Sequence, residues 1–165
     1  MTLRFFGDVD NLTAREIDTF LSRIDVKNFE LRLSGLGSFG GNNIRTLWAG
    51  IEPSPLLDQL AAANERAARI SGLPPERRNF KPHVTIARFK WSRAEAVARF
   101  LQRNGAFKTP PFAVDQFVLF SSKPKTGGGP YVAEETYPLA GFDWTADDER
   151  DDREHHDQID HGGHQ

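Results

Sequence analysis

An α+β fold is predicted by three observations. Segments with helical spacing and segments with strand alternation are interleaved along the chain. The links between neighbouring strands are too short for a parallel crossover, so the strands pair antiparallel. Thirteen Phe and an apolar content of 38% supply a core, and a body of about 140 residues is long enough to bury one.

The elements follow in order. Thr2–Phe6 is a short β-rich run, and Asp8-Val9-Asp10-Asn11 turns the chain. Thr13-Ala14-Arg15-Glu16 has capping-box spacing ahead of Ile17, Phe20, Leu21 and Ile24 at helical intervals. Phe29, Leu31 and Leu33 alternate as in a strand. Gly35–Gly41 reads as a flexible turn before a second strand, Ile44–Ile51, with Leu47, Ala49 and Ile51 on one face. Ser54-Pro55 opens a helix as N-cap and first residue. That helix runs through Leu57, Leu60, Asn64, Ala67 and Ala68 to a stop at Gly72. Beyond Pro74-Pro75, Pro82–Phe89 is a strand. Ser92-Arg93-Ala94-Glu95 caps a helix carrying Val97, Phe100 and Leu101, which Asn104-Gly105 ends. Phe112–Ser122 and Tyr131–Leu139 form a hairpin around Lys123–Pro130.

The formal net charge of −2 conceals a split. Residues 1–142 carry 19 basic and 14 acidic side chains, so +5, whereas 143–165 carry 2 and 9, so −7. The first part reads as one domain. The second has no periodicity and few apolar residues, and is expected to be a disordered acidic tail. Four of the five histidines lie in that tail, which leaves His83 alone in the body. No run of 18 apolar residues spans a membrane, and no basic-then-apolar segment opens the chain. Zero cysteines exclude disulfides and thiolate chemistry. A cytoplasmic, monomeric protein is expected.

Strand alternation places His83, Thr85 and Ala87 on one face, with Val84 and Ile86 directed into the core. An imidazole moves protons near neutral pH, a hydroxyl donates to a phosphoryl oxygen, and Arg88 offers a planar cationic fork. With only two fixed positions, His-x-Thr equally describes a strand carrying an incidental His and Thr. The start of the chain adds weight. Met1–Gly7 parallels residues 83–89, with Thr2 matching Thr85, Leu3 matching Ile86 and Phe6 matching Phe89. A strand, a helix and paired strands follow each copy, as in a twofold internal repeat that contributes one strand per half to a shared cleft.

On these residues the chain resembles the 2H phosphoesterases, and within them the RNA 2′,3′-cyclic phosphodiesterases, also called 2′-5′ RNA ligases. His83-Val84-Thr85-Ile86 matches the second His-x-Thr-x motif, with Phe80, Pro82 and Arg88 around it. Thr2-Leu3-Arg4-Phe5-Phe6-Gly7 matches the first motif after its His, and Met1 stands at the x. Leu47–Ile51 and the Gly-rich turn before Tyr131 also resemble family segments, so the likeness covers Met1 to about Leu139. The resemblance implies a bilobal fold, two antiparallel sheets with pseudo-twofold symmetry around a central cleft and helices outside. It implies metal-free and cofactor-free hydrolysis of RNA 2′,3′-cyclic phosphate ends, or of small cyclic-phosphate nucleotides, to 2′-phosphomonoesters. His83 would be the base, Thr2 and Thr85 would hold the non-bridging oxygens, and Arg88 and Arg4 would offset their charge. The family's N-terminal strand and helix, and its first His, have no counterpart here. A start assigned at an internal Met accounts for this more simply than a truncated form. The competing reading is a non-catalytic RNA-binding protein that has lost that His.

Three further features of the sequence have competing readings. Gly35-Leu36-Gly37-Ser38-Phe39-Gly40 spells a dinucleotide fingerprint, but a β-rich run follows where a helix must open. Lys123-Pro124-Lys125 fits either an RNA backbone contact or a solvated loop. His155-His156 and His161–His164 lack a scaffold that would make them metal ligands.

Overall fold

A computed structural model describes residues 1–41, 43–91, 93–122 and 131–141. The Lys123–Pro130 loop, Ser92 and the tail with its four histidines lie outside the described residues. Among the described residues, three helices and seven strands alternate as expected of an α+β chain: α1 (Asn11–Leu21), β1 (Phe29–Leu31), β2 (Leu33–Phe39), β3 (Thr46–Ile51), α2 (Pro55–Ile70), β4 (His83–Arg88), α3 (Ala94–Arg103), β5 (Phe112–Val114), β6 (Gln116–Ser122) and β7 (Tyr131–Pro138). Among the described residues no helix is long and apolar enough to cross a membrane.

All strand pairs are antiparallel. β2, β3 and β4 form one sheet in that order. β5 pairs with β1, and the chain just before it continues along β2. Gly35 N–H donates to Phe107 O at 2.8 Å, and Thr109 N–H to Leu33 O at 3.0 Å. β6 and β7 pair as a hairpin, but the expected first strand, Phe112–Ser122, divides at Asp115, because Phe112–Val114 faces β1 instead.

Two cores follow from this layout. The larger joins Ile17 and Leu21 of α1, Leu60 and Ala67 of α2, and Phe117, Tyr137 and Leu139 of the hairpin region. The smaller puts Val97 of α3 against Ile44 and Leu47, with Ala87, Phe89 and Leu101 packed on it. Helix α3 therefore buttresses one face of the β3–β4 pair and leaves the other face free.

Local chemistry explains where the elements begin. Ser54 caps α2 through Leu57 N–H, Pro55 follows it, and Gly72 lies just past the end at φ +84°. For α1 the cap is Asp10 rather than Thr13. Its carboxylate accepts from Thr13 N–H at 2.8 Å and so starts the helix earlier. A charged acceptor at the positive end of the helix outcompetes a hydroxyl one turn later. Arg93, with no side-chain hydrogen bond, occupies the N-cap of α3.

Three strand expectations change. Thr2–Phe6 forms no ladder with any described strand. Leu3, Phe6 and Val9 are held instead by packing on the larger core. The Phe29–Leu33 run divides at Arg32, because β1 faces β5 and β2 faces β3. Gly35–Phe39 is strand rather than turn. Gly37 serves packing, since a Cβ there would sit inside the Trp48 ring, whereas Gly35 takes a positive φ of +74° with open space around it; on β3, a Cβ on Gly50 would meet Ser34 O at 2.6 Å. The fingerprint-like spacing thus makes room for an indole lying across two strands.

Two predictions follow from the packing. Tyr137 is buried and donates to Asp18 at 2.6 Å; burial first, and that bond second, push its phenol pKa above the ordinary 10. A raised pKa means the contribution is complete below about pH 10 and is lost as pH climbs past it. Tyr137→Phe should cost about 1.5–3 kcal/mol in urea unfolding near neutral pH, and the difference from wild type should shrink in strong alkali. Gly37→Ala should cost about 1–3 kcal/mol by forcing Trp48 out of its place, read as a shift of the urea midpoint at constant slope.

Candidate active site on the free face of the β3–β4 pair

Register decides which side chains share the free face. Residues opposite each other in an antiparallel pair project to the same side. His83 lies opposite Gly50, Thr85 opposite Trp48, and Arg88 opposite Thr46. Gly50, Trp48 and Thr46 alternate along β3, so His83, Thr85 and Arg88 all project to one face. Simple alternation would have put Arg88 on the other side. The difference comes from one extra residue. Ala87 is opposite Leu47 while Thr85 is opposite Trp48, so Ile86 has no partner and the strand bulges there.

The bulge corrects two expectations. Ala87 leaves the face of His83 and packs in the smaller core with Ile44, Leu47 and Val97. Ile86 is 50% exposed rather than buried. Val84, opposite buried Ala49, keeps its inward position.

The imidazole is held from three sides. Its Nδ1 lies 2.6 Å from Lys81 O. A carbonyl only accepts, so Nδ1 carries the proton and Nε2 presents its lone pair when the ring is neutral. Phe39 meets the ring edge-on at a centroid distance of 5.0 Å, and Trp48 lies at 6.0 Å. Phe39 and Trp48 contact each other at 5.3 Å. The Trp48 Nε1–H is buried without a hydrogen-bond partner. Neither aromatic was singled out from the sequence. Phe39 on the strand after a glycine run, and Trp48 in the middle of β3, were the available signals.

Arg4 is placed differently from the expectation that it faces a phosphate. Its side chain is 10% exposed. Nε donates to Glu65 at 2.6 Å, Nη2 to Pro74 O at 2.8 Å and Nη1 to Phe5 O. Glu76 approaches Nη1 at 3.9 Å. Glu65 also accepts from Glu76 N–H at 3.1 Å, so one carboxylate ties the first motif to the loop that leads toward β4. Hydrogen bonds from Arg78, with the charges of Arg78 and Arg4, hold the Glu76 carboxyl down at about 2. Among the described residues, no hydrogen bond, ion pair or ring contact joins Thr2 or Arg4 to the His83 face. The structure thus brings together His83, Thr85 and Arg88 and gives Arg4 an anchoring place. Among the described residues no three His, Cys, Asp or Glu side chains converge as metal ligands.

The arrangement is a base with a free Nε2, a hydroxyl donor and a cation on one rigid surface, backed by aromatic rings. The chain is also similar to known proteins. The chain is 35% identical over 108 residues to the RNA 2′,3′-cyclic phosphodiesterase of Aeropyrum pernix, a match covering 64% of this chain and 61% of that one. It is 32% identical over 146 residues to the RNA 2′,3′-cyclic phosphodiesterase of Aquifex aeolicus, covering 86% and 78%. The crystal structure of E. coli LigT complexed with 3′-AMP superposes with a TM-score of 0.66 at 27% identity, covering 84% of this chain and 75% of that one. The chain therefore spans less than two thirds of the Aeropyrum protein and about three quarters of the other two. A family model described as the 2′-5′ RNA ligase superfamily matches residues 1–126, a stretch that includes the Thr2 segment, the Phe39–Trp48 pair and all of β4. The chain belongs to the 2′-5′ RNA ligase superfamily.

Proposed function

We propose that the chain acts on RNA ends bearing a 2′,3′-cyclic phosphate and converts them to 2′-phosphomonoesters. The observation that carries this reading is the convergence of His83, Thr85 and Arg88 on one face, with Nδ1 of His83 tied to Lys81 O. The relatives named RNA 2′,3′-cyclic phosphodiesterase support the choice of substrate.

In the proposed reaction, Nε2 of His83 takes a proton from water as its oxygen attacks phosphorus. The P–O3′ bond breaks, its electron pair goes to O3′, and a proton is delivered there by a general acid. Thr85 donates to a non-bridging oxygen, and Arg88 offsets the charge that builds on the phosphorane. Fixed donors need no reorganisation at that moment, and a strand holds them more rigidly than a loop. Thr2 is the matching hydroxyl of the first motif. Arg4 is assigned to holding that segment in place through Glu65, rather than to the phosphate. We take the protein to work as a monomer, and its zero cysteines support a cytoplasmic setting.

One observation favours a second reading, a non-catalytic RNA-binding protein. His83 is the only imidazole in residues 1–142, and the scheme needs two proton carriers. The assay that separates them uses RNA ending in a 2′,3′-cyclic phosphate. For the enzyme, His83→Ala lowers turnover by about 10²-fold or more while leaving nucleotide affinity within a few-fold. Unchanged turnover removes His83 from the mechanism. Binding with no turnover in either protein establishes the second reading. With a single imidazole, the 165-residue polypeptide is expected to turn over about 10²–10⁴-fold more slowly than the Aquifex relative. Equal rates would refute the two-carrier scheme.

A further inference from the structure

We propose that Arg45, Lys90, Trp91 and Arg93, just past the end of β4, form a docking surface for the single-stranded RNA on the 5′ side of the cyclic phosphate. The proposal rests on the reading of the His83 face given above and extends it from a terminal phosphate to a polymer.

Trp91 is 85% exposed, more than any other large hydrophobic side chain among the described residues. Single exposed apolar residues are ordinary on protein surfaces. The charge around this one is not ordinary. Residues 86–93 include Arg88, Lys90 and Arg93 and no carboxylate; the next acidic residue is Glu95, in the first turn of α3. Arg45 joins them through the backbone. Its carbonyl accepts from Phe89 N–H at 2.8 Å, and its Nη1 donates to Lys90 O at 2.6 Å. Like most described cations, Arg45, Arg88, Lys90 and Arg93 have no carboxylate partner; what sets them apart is that they gather along the chain around an exposed indole. Cations left unpaired around an exposed indole match a partner that is anionic and offers flat π-faces. A single-stranded nucleic acid has both properties: phosphates for the cations and bases to stack on the ring.

Position favours RNA over an anionic membrane. A 2′,3′-cyclic phosphate sits at a 3′ end, so once it faces His83 the rest of the chain extends only in the 5′ direction. The next phosphates must cross neighbouring protein surface. β4 leads from His83 to Arg88 over about 17 Å at ~3.3 Å per residue. The bulge at Ile86 turns Arg88 onto the face of His83, and Lys90, Trp91 and Arg93 follow directly. The surface thus begins where the terminal site ends.

The test measures binding of the full 165-residue chain by fluorescence anisotropy. The probes are a labelled octanucleotide ending in a 2′-phosphate, so that turnover does not intervene, and the matching 2′-mononucleotide as competitor. The octanucleotide should bind at least about tenfold more tightly than the mononucleotide. Trp91→Ala should weaken the octanucleotide by at least about fivefold, since stacking on one ring is worth ~1–3 kcal/mol, and leave the mononucleotide unchanged. Lys90→Ala/Arg93→Ala should reduce the slope of log affinity against log salt by about 1.4, or ~0.7 per lost contact on a single strand. Because Trp91 is exposed, its removal leaves the fold intact, which circular dichroism would verify. Equal affinity for octanucleotide and mononucleotide, or an octanucleotide affinity indifferent to Trp91→Ala, overturns the proposal. So does a loss confined to binding of phosphatidylserine vesicles. If the octanucleotide binds in a Trp91-dependent way but the mononucleotide does not bind at all, this surface stands and the reading of the His83 face fails.

Discussion

One unpaired residue, Ile86, sets the arrangement of the site. A regular strand would turn Arg88 toward α3 and place Ala87 beside Thr85. The bulge exchanges them. Ala87 fills a small apolar core in which a guanidinium would be buried without a partner, at a cost of several kcal/mol. Arg88 joins the imidazole and the hydroxyl. Ile86 is left half exposed, and burying that side chain would have been worth roughly 1.5–3 kcal/mol. Local stability is given up where the bulge brings three groups onto one face, and under the proposed function those are the groups that meet the phosphate.

The surroundings of His83 show how packing fixes one side chain. Glycine at 37 allows the Trp48 indole of β3 to lie over β2, and glycine at 50 lets β3 approach the Ser34 carbonyl. Trp48 and Phe39 then confine the imidazole, and Lys81 O selects its tautomer. Each contact is weak, but together they remove the ring's alternative orientations. Under the proposed function, that lost orientational freedom is what the proton-transfer step gains. The second motif is therefore built on a strand backed by a helix. The first is anchored by the guanidinium of Arg4 on Glu65, which also holds the loop leading to the second.

Much of this was legible from residue patterns, for reasons that differ by element. Ser54-Pro55 and Gly72 marked α2 because caps are local chemistry, settled within one turn. The β6–β7 hairpin was legible because alternation persists over a long run. His83 and Thr85 were legible because their spacing fixes a shared face in any strand. The face that Arg88 occupies is set only by the register, since a bulge depends on the partner strand. The Gly35–Phe39 segment misled for a similar reason. Its glycines look like a turn until Trp48, eleven residues after Gly37, shows what Gly37 makes room for. Asp10 displaced Thr13 as a cap because a carboxylate and a hydroxyl compete at positions that a pattern alone cannot rank. Thr2–Phe6 has strand composition, but a strand exists only with a partner, and no described strand offers one.

The most direct test is a crystal structure with a 2′-phosphomonoester nucleotide bound. The account predicts the phosphate within hydrogen-bond distance of Nε2 of His83, Oγ1 of Thr85 and the guanidinium of Arg88, with Ile86 unpaired in β4. A phosphate held elsewhere, or an unbulged strand with Arg88 on the side of Ala49 and Leu47, would contradict it.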